Sequence, residues 1–315
     1  MTARLALALP VPLLLAAACS GADSRPGPAI GRAQAERVLA RYTLAADAAG
    51  RTLDGTRLAS VTTGPQLAMD LASLKLRRAT KSPAGGLRFD RTTYLIPRLH
   101  GYPRWFAVDA MSSGGTQSVR HALLFTQSAE GAAWLLAADP LPVDGALNRV
   151  ALDTDGFATA PGPEATGPAM APARVAAAHA ALLTGGAEAP GAKGIAPGPH
   201  TTRAHRALRA GSKKLRKRGI LLSSEFAPHT TPFYALRTED GGALVWYVLR
   251  QTEAYAAARA GKLSVSGDLT GLAPTRAPRT RLNSTVLIQY LATVPPRGPA
   301  TVSGIYRKAV SAQGS

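Results

Sequence analysis

Twice along this chain, spacing suited to a helix gives way to spacing suited to strands, and that order narrows the possible folds more than any other feature. In the first run Val38, Leu39, Tyr42, Ala45, Ala46 and Ala49 recur on one helical face, with Gly50 placed to stop it. A second helix is expected after Thr63 and Gln66, which have capping-box spacing. Pro65 suits its first turn, and Leu67, Leu71 and Leu74 form one stripe. Ser82-Pro83-Ala84-Gly85-Gly86 breaks the pattern, and strand-like runs follow at 87–96, 105–111, 119–127 and 133–138. In the later run, helical stretches at 173–183 and 202–218 precede strand candidates at 233–238, 243–251, 285–294 and 302–309. Helices followed by hairpin-linked strands predict an α+β fold of two similar domains, each with two helices packed on a curved antiparallel sheet.

The parallel extends to local sequence. Pro103-Arg104-Trp105-Phe106-Ala107-Val108 and then Ala122-Leu123-Leu124-Phe125 match Pro232-Phe233-Tyr234-Ala235-Leu236 and then Ala243-Leu244-Val245-Trp246-Tyr247. Gly114-Gly115 and Gly241-Gly242 fall between the paired runs as turns. Trp134 to Pro140 has a counterpart in Ile288 to Pro295, and a Pro-rich insertion from Leu272 to Arg281 disturbs the spacing. The expected division is a first domain at 32–156, a Pro/Gly-rich linker at 157–172, a second domain at 173–310 and a tail at 311–315. The linker and the loop from Gly185 to Pro199 are the expected sites of proteolytic nicking.

The N-terminus reads as an address. Arg4 precedes an uncharged apolar run from Leu5 to Ala18, too short for a spanning helix, which needs roughly 20 residues, and suited to a signal peptide. The run closes in Leu15-Ala16-Ala17-Ala18-Cys19-Ser20-Gly21. This resembles the bacterial lipobox, departing from it at Ala16, where Leu is commoner. The resemblance implies that residues 1–18 are removed, that Cys19 carries the lipid, and that the protein is exported and held on the outer face of the cell membrane. Residues 19–31 would be a flexible tether. Cys19 is the only cysteine in the chain, so an internal disulfide is excluded and the domains must be stable through packing.

Helix, helix and a curved meander with an aromatic-rich central hairpin is similar to the cone-shaped nuclear transport factor 2-like fold, cystatin-like in sheet order. A tandem copy behind a lipobox is similar to uncharacterised lipoproteins of high-GC actinobacteria. In that fold the sheet and first helix often enclose a pocket, which leaves function open.

Charge is the strongest local signal. The chain is formally +18, and Lys193 to Ser224 contains no acidic residue. Within that stretch run Arg203, Arg206, Arg209, Lys213, Lys214, Arg216, Lys217 and Arg218, while Ala204, Leu208, Gly211 and Leu215 would form a narrow buried seam. A helix of this kind docks by its seam and presents an anion-binding face. Anionic phospholipid is the nearest partner for a protein already anchored at a bilayer, and an anionic cell-wall polymer is the second. Nucleic acid is set aside, because export argues against it and no base-reading module is present. A solvated face in an Arg-rich composition is the competing explanation.

Catalytic and metal patterns are weak. His100, His121, His179, His200, His205 and His229 lack metal-ligand spacing, and Asp153-Thr154-Asp155-Gly156 has only part of a calcium loop and reads better as a turn. There is no G-x-S-x-G elbow and no phosphate-binding glycine loop. Asp109, Asp139, Tyr94 and His121 are the one set that could meet inside a cone as acid and base. The expectation is a protein without enzymatic activity, cofactor or metal, binding or scaffolding at the envelope. The alternative is a small-ligand or enzymatic pocket in one domain.

Overall fold

The computed structural model describes residues 26–82, 86–113, 118–143, 145–230, 232–261, 263–273 and 277–315. The leader, Cys19, the first part of the expected tether, Gly114-Gly115, Pro83 to Gly85 and three residues of the Pro-rich insertion lie outside them. The last expected tether residues carry a short strand, β1 (Gly27–Pro28), and Ala29 and Ile30 are buried.

In the first half, α1 (Arg32–Thr52) continues through Gly50 and ends at Leu53, in the left-handed region at φ 56°. Packing overrides the glycine: Ala49 is buried against Leu58 and Leu74, which outweighs the cost of about 1 kcal/mol for a helical Gly. Then come α2 (Gly55–Ala59), capped by Asp54 accepting from the Thr56 N–H, and α3 (Gly64–Thr80). Thr63 holds the cap position of α3 without a side-chain cap bond. The side chain of Gln66, its expected partner, instead points inward and is buried. Strands follow: β2 (Arg88–Leu95), β3 (Pro97–Leu99), β4 (Arg104–Ser113), β5 (Val119–Gln127), β6 (Leu135–Ala138), β7 (Leu141–Pro142) and β8 (Ala158–Thr159). β2, β4, β5 and β6 make a four-stranded antiparallel sheet in that order, while β3 pairs with β1 and, in parallel, with β8.

In the second half, α4 (Val175–Gly185) and α5 (Thr202–Lys217) precede β9 (Ile220–Pro228), β10 (Tyr234–Arg237), β11 (Ala243–Ala257), β12 (Arg281–Val294) and β13 (Thr301–Gly314). β9 and β10 lie end to end along one edge of β11, with β12, β13 and finally β7 on the other side. Register shifts between Thr285 and Val286 and between Leu291 and Ala292 mark bulges, which bend long strands. The architecture is α+β, with helices on curved antiparallel sheets.

The two halves do not align as the sequence match suggests. β4, with Trp105 and Phe106, is internal between β2 and β5, whereas its sequence counterpart β10 sits on an edge. By position in the sheet, β4 corresponds to β11 and β5 to β12. Phe106 lies opposite Phe125 and the rings stack at 5.1 Å. Tyr247 lies opposite Tyr290 and they stack at 5.5 Å. Above these pairs Tyr42 of α1 meets Phe125 edge-on, and His179 of α4 meets Tyr290 edge-on.

α1 covers one face of the first sheet, over Phe106, Val108, Leu123 and Phe125, and α4 covers one face of the second, over Val245, Tyr247, Ile288 and Tyr290. The opposite faces meet each other: Trp105, Ala107 and Leu124 pack with Leu244, Trp246 and Leu291 in one buried cluster. The Trp246 indole N–H donates to the Ala122 carbonyl at 2.9 Å. β7 crosses from the first half to pair with β13, and Gly304 permits it, since a Cβ there would come within 3.2 Å of the Pro142 nitrogen.

Candidate functional site

The eight basic residues singled out in sequence lie on or directly after α5, and all eight are exposed. Arg206, Arg209, Lys213 and Arg216 recur at three- and four-residue intervals and so form one stripe along the outer face. Ala204, Leu208, Gly211 and Leu215 are half-buried on the opposite side, where Ala204 and Leu215 join the apolar clusters beneath. His205 is held by its Nδ1–H donating to the Leu183 carbonyl at 2.9 Å, and Ser212 donates to the Leu222 carbonyl. Gly219, at φ 77°, turns the chain from α5 into β9. Lys214, Arg216 and Lys217 occupy the last turn, where cations complement the helix dipole. Among the described residues none of the eight forms an ion pair, so their charge is unspent.

Beneath α5 lies a cavity of about 230 Å³ between the helix seam and the curved face of β11, β12 and β13. Leu183, Leu208, Phe226, Ile288 and Ile305 supply apolar wall, and Gln251, Glu253, Tyr290 and Arg307 a polar floor. Glu253 is buried and accepts from Gln251 Nε2 at 2.9 Å, Ser284 Oγ at 3.0 Å and Tyr255 Oη at 3.1 Å. Arg307 approaches Gln251 and Glu253 only at 3.4 and 3.5 Å. The sequence reading missed this floor because it ended the strand at Gln251. The signal was the alternation itself, since Gln251, Glu253 and Tyr255 continue the parity of Val245, Tyr247 and Leu249.

The proposed acid–base set divides. His121 Nδ1 lies 2.8 Å from Asp139. Burial disfavours the charged ring, but the Asp139 charge and hydrogen bond prevail and raise the His121 pKa. Asp109 faces the other side of the sheet, where Arg120 donates to it at 2.8 Å. Tyr94 lies under the Arg32 guanidinium at 5.9 Å. Only His121 and Asp139 are brought together, and the sequence did not show what lies behind them. The Asp139 N–H donates to Gln289 Oε1 at 2.7 Å, Gln289 Nε2 to Gln66 Oε1 at 3.0 Å, and Gln66 Nε2 to Asp70 Oδ1 at 2.9 Å. This buried relay ties α3 to both sheets. Among the described residues Asp70 Oδ2 is buried without a partner, and burial, with a smaller push from Asp139, raises its pKa to about 7 against the Gln66 hydrogen bond.

His179 is held on both ring nitrogens. His179 donates from Nε2 to the His200 carbonyl, so Nδ1 accepts from the Tyr247 hydroxyl, both at 2.9 Å. Burial lowers its pKa to about 4. Burial also lowers His200, beside Arg203, and His229, beside Arg250. Asp153 folds a turn by accepting from the N–H groups of Asp155 and Phe157, and Arg98 clamps it from 2.6 Å.

A family model described as "Domain of unknown function (DUF8094)" matches residues 26–314. An uncharacterized lipoprotein of Streptomyces coelicolor is 34% identical over 241 residues, covering 74% of this chain and 70% of that protein. An uncharacterized lipoprotein of Streptomyces avermitilis is 29% identical, covering 76% and 71%. A further one from S. coelicolor is 28% identical, covering 86% and 78%. No solved structure matches the chain.

Proposed function

We propose that this chain, which belongs to the family described as a domain of unknown function (DUF8094), is a lipid-anchored envelope lipoprotein that uses α5 to grip an anionic surface. The observation that carries this reading is the row of eight exposed basic residues with no ion pair among the described residues, on a helix whose seam is already docked. The lipoprotein names of its relatives favour Cys19 as the lipidated residue and the outer face of the membrane as the location. Each basic residue near a strongly anionic bilayer adds about 1 kcal/mol. Four of the eight reaching the surface would contribute about 4 kcal/mol, nearly a thousandfold in affinity, and would hold the protein flat on the bilayer to which the lipid already tethers it. The role is binding or scaffolding, without catalysis. The matching aromatic pairs under α1 and α4 favour two copies of a cone-like unit of the nuclear transport factor 2 type, with α5 belonging to the second.

The test uses the full chain with Cys19→Ala, so that no lipid contributes. It should co-sediment with vesicles rich in phosphatidylglycerol, not with phosphatidylcholine vesicles. The binding should vanish in 1 M salt, where the screening length falls to about 3 Å. Replacing Arg206, Arg209, Lys213 and Arg216 together by Gln should abolish it. Binding to isolated cell wall but not to anionic vesicles would transfer the surface to a wall polymer, and salt-insensitive binding would remove the electrostatic basis.

A further inference from the structure

We propose that the cavity beneath α5 is a binding site for a small single-chain amphiphile with a carboxylate head, its chain among Leu208, Phe226, Ile288 and Ile305 and its head on Arg307 and Tyr290. Size limits the class first. At about 230 Å³ the space falls below the common range for drug-sized ligands of roughly 300–1,000 Å³, so a two-chain phospholipid is excluded and a short chain fits.

The walls and floor define the rest. Ile288 lies directly opposite Arg307 across the β12–β13 ladder, and Tyr290 opposite Ile305, so apolar and polar contacts alternate along one strip of sheet. Arg307 reaches Gln251 and Glu253 only at 3.4 and 3.5 Å, at the outer edge of hydrogen bonding, and pairs with Asp268 at 3.8 Å, beyond it; its side chain is 40% exposed. Its guanidinium therefore has donors to spare, in a planar fork suited to a carboxylate. The Tyr290 hydroxyl makes no hydrogen bond among the described residues. Three neutral donors hold the Glu253 carboxylate, and its ion pair with Arg307 is long, at 3.5 Å. Ala204 and Leu208, which roof the cavity, belong to α5, whose cations face outward, so the helix adds a long-range positive field that favours an anionic head without lining the pocket.

The site stands without the membrane reading, and its test contains no membrane. Sodium octanoate and 1-octanol are titrated calorimetrically into the full Cys19→Ala chain at low salt. Octanoate is expected to bind at one site and more tightly than octanol. Arg307→Gln should weaken octanoate at least tenfold while leaving octanol within about twofold, and Ala204→Phe should abolish binding of both by filling the cavity. In the unsubstituted pocket, octanoate should shift the methyl NMR signals of Ile288 and Ile305, a measurement that does not depend on either variant folding. Absence of octanoate binding, shifts confined to other methyl groups, or full affinity in Ala204→Phe would overturn the site. An octanoate-to-octanol preference unchanged in Arg307→Gln would overturn the head assignment.

Discussion

Asp70 sits where a carboxylate is costly. Its Oδ1 accepts one hydrogen bond from Gln66, its Oδ2 has none among the described residues, and burial raises its pKa to about 7. The folded chain thus keeps a proton that the unfolded chain releases near pH 4. The Asp70 contribution to folding stability then falls as pH climbs from about 4 to about 7, because across that window this group binds more protons in the native state, while the lowered His179, His200 and His229 act the other way. His121 works in the same direction as Asp70. Its folded pKa is raised by Asp139, so its contribution is complete below about pH 6.5 and is lost as pH rises through the folded value. Asp70→Asn removes the first of these effects and leaves the second. Between thermal melts at pH 5 and pH 8, Tm should move down less, or up more, in the variant than in the parent. Equal changes in Tm would mean that Asp70 does not ionise across this range.

At the scale of elements, α4 and α5 lie side by side but are held very differently. α4 buries Val175, Ala178, His179, Ala180, Leu182 and Leu183, whereas α5 buries no residue fully and rests on its half-buried seam. Local opening costs least where few apolar contacts are lost. Native-state hydrogen exchange should therefore release the amides of α5 well before those of α4, and α5 protection equal to that of α4 would contradict this. The same contrast explains what was legible in the sequence. Ala204, Leu208, Gly211 and Leu215 could be read as a seam because every residue around them was charged or small. β9 was missed because its alternating inner positions, Leu222, Ser224 and Phe226, mix polar with apolar and carry no hydrophobic period. The cavity could not be read at all, since its lining comes from two helices and four strands whose registers only the folded sheet defines. The lone cysteine and the cationic run, by contrast, are properties of contiguous sequence.

For the molecule as a whole, the Pro/Gly-rich stretch between the halves suggested two bodies on a string, yet Trp105 and Leu124 from one half share a buried cluster with Leu244, Trp246 and Leu291 from the other. Ala158 within that stretch is itself buried, its N–H donating to the Ile96 carbonyl. A contact of this kind couples unfolding, because exposing one sheet strips apolar cover from its neighbour. Trp246 tests the coupling, being 1% exposed with its indole N–H on the Ala122 carbonyl of the other half. Trp246→Phe leaves that carbonyl short of a donor and opens a small void, a loss of about 1–3 kcal/mol from the hydrogen bond alone. In a cooperative chain of this size such a loss lowers Tm by about 2–5 °C. If the halves are one cooperative unit, calorimetry of parent and variant should each show a single transition, shifted as a whole. Two transitions, with only the later half displaced by the substitution, would mean that the shared cluster forms between bodies that fold independently.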